Sequence, residues 1–216
     1  MSSFSEVRIA LITIDMIGVL EHLHSQKIVH RDLKSQNVVL DRPMHFYGEA
    51  QLTCKLGDHG LSCFVTKRPE ILCGEDEYLA PELVSQYVER RELKDAMERK
   101  LVYYDVGVDV WALGCLVFEL FTGRMPFGKS KDREWGNRLE LFDRIRTHDL
   151  DLNKEVHLQS NLKAQLFIKA CLTKSPDRRP RASDLMGLDW IKEMQPLIEV
   201  RKAKEETWKV HLLEHL

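Results

Sequence analysis

The segment that opens after Ser3 and runs to about Leu23 constrains the fold most, because it reads as a helix that is apolar around most of its circumference. Val7, Ala10, Leu11, Ile14, Ile17, Val19 and Leu20 leave no broad polar face, so such a helix belongs in an interior. Ser3, three residues ahead of Glu6, gives it a capping-box start. The segment Val108 to Phe121 is similarly apolar, with Asp109 near its start and Glu119 near its end. Thr122-Gly123 and Pro126 terminate it. At 216 residues, the chain is predicted to form one mainly helical domain.

The remaining elements are shorter. Val38-Val39-Leu40 and Leu52 to Leu56 read as two strands joined by a long loop, 41–51. Glu82 to Tyr87 reads as a short helix. Val88 to Lys100 reads as a charged, solvated one, with Asp95 and Arg99 at i,i+4 spacing. Further helices are predicted at Arg138–Thr147, Leu162–Leu172 and Ala182–Met194. Residues 1–195 then make the domain, and 196–216 a mixed-charge helical tail.

Charge excludes some classes of function. Lys+Arg 32 against Asp+Glu 34 gives a formal charge of −2, which does not suit a protein built to coat nucleic acid or an anionic membrane. The apolar run Ile9 to Leu20 is too short to cross a bilayer and contains Asp15. It also lacks a small-residue cleavage pattern. The five cysteines are scattered, odd in number and without a CxxC pair, as expected of reduced thiols in a cytoplasmic protein.

The chemistry concentrates in one polar turn, His30-Arg31-Asp32-Leu33-Lys34-Ser35-Gln36-Asn37. It matches H-R-D-L-x-x-x-N, the protein-kinase catalytic loop, at each fixed position. Asp58-His59-Gly60 follows a predicted strand where a D-F-G would stand, and Ala80-Pro81-Glu82 supplies an A-P-E. Asp109 to Gly114, Thr122 to Phe127 and Ser175 to Pro180 continue the same order. The chain therefore resembles the eukaryotic protein-kinase family over about residues 6 to 194, and specifically that family's C-terminal lobe.

Each residue also has a physical rationale. Phosphoryl transfer needs positioned groups and neutralised charge rather than covalent chemistry from the protein. Asp32 is the candidate base for an attacking hydroxyl. Asn37 and Asp58 offer hard oxygen donors to magnesium, and Gly60 relaxes the backbone beside them. The resemblance implies that Lys34 meets the γ-phosphate of ATP, a serine/threonine-kinase pattern, and that Val39 lines the adenine floor. It further implies a protein substrate bearing a serine or threonine hydroxyl. Glu82 and Arg179 are expected to pair as a buried ion pair, and Asp109 to hold the catalytic-loop backbone. Arg31 is expected to face a phosphorylated Ser62 or Thr66. A zinc site from His22, His24 and His30 is disfavoured, because His22 and His24 face different sides of a helix.

Some features depart from the family pattern. Twenty-nine residues precede His30, and the first helix uses most of them. A five-stranded lobe at about 5–6 residues per strand does not fit there. The glycine-rich loop, the V-A-I-K lysine and its partner glutamate are thus absent from this sequence, and are expected from a longer chain or a partner protein. His59 replaces an aromatic residue. Glu75 stands where threonine is usual, and is expected to repel Asp32 and capture Lys34. A non-catalytic kinase-like scaffold or regulatory module is the alternative function.

Overall fold

A computed structural model describes residues 4–40, 52–65, 73–92, 105–129, 135–196 and 199–200. Helix α1 spans Glu6–Ser25 and buries Ile9, Leu11, Met16, Ile17 and Leu20 among others. Its cap is Ser5, whose hydroxyl accepts the Arg8 N–H at 3.4 Å, so the expected start at Ser3 is corrected by two residues. Ser5 is extended, at φ −63° and ψ 152°, and the helix opens directly after it. Glu6 does not reach back to a cap. Its carboxylate accepts from Trp190 Nε1 at 2.9 Å and from Asn161, tying the start of α1 to the far end of the chain.

Helix α3, Gly107–Thr122, follows α2, Pro81–Glu92, and forms the centre of the lobe. Every residue from Gly107 to Phe118 is buried, including Asp109. It packs against both α1 and α5, Leu162–Cys171. Gly114 permits the close approach to α5: a Cβ there would lie 2.7 Å from that of Cys171. Gly123 ends α3 in the left-handed region at φ 71°, with its N–H on the Glu119 carbonyl at 2.7 Å.

Helix α4, Trp135–Thr147, packs on α2 through an edge-on contact of Tyr87 with Phe142, centroids 5.7 Å apart. Helix α2 is longer than the predicted short helix and absorbs the start of the charged run. Asp95 and Arg99 lie outside the described residues. The predicted helix over Ala182–Met194 is broken in two. Helix α6, Ala182–Leu185, stops in turns closed by Gly187 N–H on Asp184 O and Leu188 N–H on Leu185 O, and a helix resumes at 189–196. Of the expected tail, residues 201–216 lie outside the described residues.

The strands form two small antiparallel sheets. β2, Val38–Leu40, pairs with β3, Cys54–Leu56, in the register Val38↔Leu56, Val39↔Lys55 and Leu40↔Cys54. β1, Ile28–Val29, pairs with β4, Cys63–Phe64, a pairing too short to read from sequence. The lobe is mainly helical with a hairpin at its two polar loops, and no larger sheet exists among the described residues. Cys115 and Cys171 are fully buried, and that burial pushes their thiols up. No described helix is long and apolar enough to cross a membrane.

Candidate active site

The polar turn after β1 is fastened from below by α3. Asp109, 1% exposed, accepts the His30 N–H at 2.8 Å and the Arg31 N–H at 2.9 Å. It also accepts from His24 Nε2 at 2.9 Å. The carboxylate can only accept, so the His24 ring carries its proton on Nε2; its Nδ1 is buried without a partner. A charge held this way is satisfied by three donors, which is how a buried carboxylate becomes tolerable. The grip also supports Arg31 at φ 69°, a conformation unfavourable for a residue with a β-carbon. Arg31 Nε donates to the Leu61 carbonyl at 2.5 Å, beside Ser62, whose hydroxyl is buried without a partner; Thr66 lies outside the described residues.

Above this support, Asp32 is 8% exposed and Asn37 is 9% exposed. Asn37 Nδ2 donates to the Asp32 carbonyl at 2.8 Å and to Asp32 Oδ2 at 2.9 Å. Lys34 Nζ lies 3.0 Å from the same Oδ2. One carboxylate oxygen is thus fixed by two donors, and the Asn37 amide oxygen is left for another partner. Burial acts to lower the Lys34 pKa, but the hydrogen bond and charge of Asp32, with Glu75 adding to them, raise it above the usual lysine value. The 3₁₀ turn Ser35–Asn37 that carries these groups receives further support from Tyr78, whose hydroxyl accepts the Ser35 N–H at 3.3 Å and donates to Glu119. Burial first, then Glu119, pushes the Tyr78 phenol well above its ordinary value.

The second loop lies beside the first because the β2–β3 ladder continues past its last pair. The Gly57 N–H donates to the Asn37 carbonyl at 2.8 Å, and Asp58 leaves the sheet one residue later at φ 53°. Asp58 is exposed, and its Oδ1 accepts the Gly60 N–H at 3.1 Å. His59, itself exposed, stands edge-on to His30 with ring centroids 5.0 Å apart. Burial pushes the His30 ring below the usual histidine range; Asp109 opposes this and His59 reinforces it. Two oxygen donors, an amide and a carboxylate on adjacent loops, suit a magnesium ion that keeps water and phosphate oxygens as its other ligands. Val39, 53% exposed on β2, offers an apolar surface beside them.

Glu75 Oε2 also lies near this cluster, 3.6 Å from Lys34 Nζ. The outcome is sharing rather than capture: Lys34 stays closer to Asp32 and bridges the two acids. Further out, Glu82 and Arg179 form the expected pair, bidentate at 2.7 and 2.9 Å. Arg179 also donates to the carbonyls of Gly107 at 2.9 Å and Thr173 at 3.0 Å. Sequence reasoning missed a second bidentate pair, Arg138 with Asp76 at 2.6 and 2.7 Å. It also missed the His24–Asp109 contact, and Asp15, whose carboxylate accepts the Cys54 N–H of β3 at 2.8 Å. These partners are 39 to 85 residues apart, and the signal available in sequence was only that each acid sits in or beside an apolar element.

This helical lobe, with its paired polar loops anchored on a buried aspartate, is of the protein-kinase C-terminal type. A protein kinase domain model matches residues 1–191, and the chain belongs to that family. The probable serine/threonine-protein kinase fhkA of Dictyostelium discoideum is 29% identical over 191 residues, covering 83% of this chain and 31% of that protein. A probable myosin light chain kinase of the same organism is 31% identical over 200 residues, covering 90% of this chain and 57% of its own length. The cAMP-dependent protein kinase catalytic subunit PRKX of Mus musculus is 28% identical over 193 residues, covering 89% and 46%. The chain therefore spans less than two-thirds of the length of each of these relatives.

Proposed function

We propose that this lobe carries the acceptor-activating and magnesium-holding half of a serine/threonine protein kinase, which transfers the γ-phosphoryl group of ATP to a protein hydroxyl. The observation that carries the reading is the fixation of Asp32 Oδ2 by Asn37 and Lys34, which leaves Oδ1 to receive the hydroxyl proton. A base held in one orientation supplies positioning, the main contribution a protein makes to this chemistry. Asn37 Oδ1 and the Asp58 carboxylate would hold magnesium, which when bound neutralises charge on the phosphate oxygens. Lys34 directs its ammonium to the transferred phosphate, and Val39 provides an apolar floor for the adenine.

The test is titration calorimetry of Mg·ATP into the purified chain, with Asp58→Ala alongside. Weak binding that needs magnesium and disappears in Asp58→Ala supports the reading. Equal, negligible binding by both chains rules out nucleotide chemistry by this chain alone and favours the second reading, a kinase-like regulatory scaffold. That second reading draws on Glu75, which brings an extra negative charge to within 3.6 Å of the phosphate-directed lysine.

A further inference from the structure

We propose that Glu75 is a latch on Lys34, so that a triphosphate must displace this carboxylate before its terminal phosphate reaches the ammonium. The proposal rests on the phosphoryl-transfer reading above and concerns how that site is held at rest. Lys34 Nζ sits between Asp32 Oδ2 at 3.0 Å and Glu75 Oε2 at 3.6 Å. Two carboxylates face one ammonium, which leaves the cluster with a net negative charge where an anion is to arrive. A neutral hydroxyl in place of Glu75 would leave Lys34 and Asp32 balanced.

The two contacts differ in kind. Asp32 is nearly buried and bonded to Asn37, so its hold on Lys34 is fixed. The Glu75 side chain is 43% exposed, and its distance exceeds a hydrogen bond, so it can exchange for another anion at little cost. Its backbone, in contrast, is pinned. Gly74, at φ 101°, brings the chain so close to the catalytic loop that a Cβ there would stand 2.8 Å from the Arg31 carbonyl. Glu75 is thereby held within reach of Lys34 while its carboxylate stays displaceable, as a latch requires. A diphosphate lacks the γ-phosphate that would be placed on Lys34, so the latch penalises ATP and spares ADP.

The experiment compares the full chain with Glu75→Gln, which keeps size and removes charge. Calorimetry is expected to show Mg·ATP binding about fivefold tighter in the variant, with Mg·ADP changed less than about twofold, on the scale of a partly exposed ion pair. In parallel, the labelling rate of Lys34 by an amine-reactive ester, read by mass spectrometry, is expected to rise at least about twofold in the variant. Equal gains for both nucleotides, or no gain for either, overturn the latch. An unchanged labelling rate overturns it as well. If no nucleotide binds to either chain, phosphoryl transfer by this chain alone falls, and the labelling rate still decides whether Glu75 restrains Lys34.

Discussion

Replacing Asp109 with asparagine tests whether the catalytic loop is held by a buried charge. The carboxylate accepts three donors, from His30 N–H, Arg31 N–H and His24 Nε2, at 2.8 to 2.9 Å. Asparagine retains one acceptor oxygen, and its NH2 would then face donors instead of accepting from them. About two charge-assisted hydrogen bonds are lost at roughly 1.5–3 kcal/mol each, or about 3–6 kcal/mol in sum. For a chain of this size 1 kcal/mol moves the melting temperature by about 2–4 °C, so Asp109→Asn should lower it by on the order of 10 °C. Tryptophan fluorescence reports the transition, since Trp111 and Trp190 are fully buried. Amide hydrogen exchange gives the local readout: the His30 and Arg31 N–H groups, protected in the parent, exchange rapidly in the variant. A melting point within about 3 °C of the parent, with both amides still protected, would refute the idea that Asp109 anchors the loop.

Four further outcomes follow from the packing and charge. Arg179→Leu removes a guanidinium that is bidentate to Glu82 and bonded to the Gly107 and Thr173 carbonyls, and should cost about 3–5 kcal/mol by urea denaturation. Glu82→Gln, which leaves Arg179 those carbonyls, should cost less than Arg179→Leu. Gly114→Ala puts a methyl 2.7 Å from the Cys171 Cβ and 2.9 Å from Leu172 Cδ2, and should destabilise by about 1–3 kcal/mol in the same assay. Burial holds the His30 pKa below its ordinary 6.5, so the unfolded chain binds the extra proton first. His30 therefore withdraws stability as pH falls below about 6.5, and urea midpoints between pH 7.5 and 5.5 should fall less in His30→Phe than in the parent.

Much of the lobe was legible because its signals are local. The polar turn 30–37 lies within eight residues. The burial of α1 and α3 follows from apolar residues on every face, and the end of α3 from Gly123. What escaped is set by long-range contact. Asp15 reads in sequence only as an interruption of an apolar helix, yet it satisfies a strand amide 39 residues away. His24 looked like a weak metal-ligand candidate, but its ring supports Asp109 across 85 residues. The start at Ser5 rather than Ser3 was hidden because both are serines ahead of the same apolar run. Glu6 decided it by bonding to Trp190 near the other end of the domain. Glu75 was expected to take Lys34 from Asp32; the geometry lets Lys34 bridge them because Asn37 already holds Asp32 in reach.

Whether Asn37 and Asp58 hold a hard cation beside Asp32 is tested most directly by paramagnetic broadening in nuclear magnetic resonance. Mn2+ serves as the probe in place of Mg2+, in the presence of ATP. The predicted result is selective broadening of the Asn37 side-chain amide and the Asp58 to Gly60 backbone, removed by excess Mg2+ and absent in Asp58→Ala. Broadening spread over surface carboxylates elsewhere, with residues 37 and 58–60 unaffected, would contradict the account.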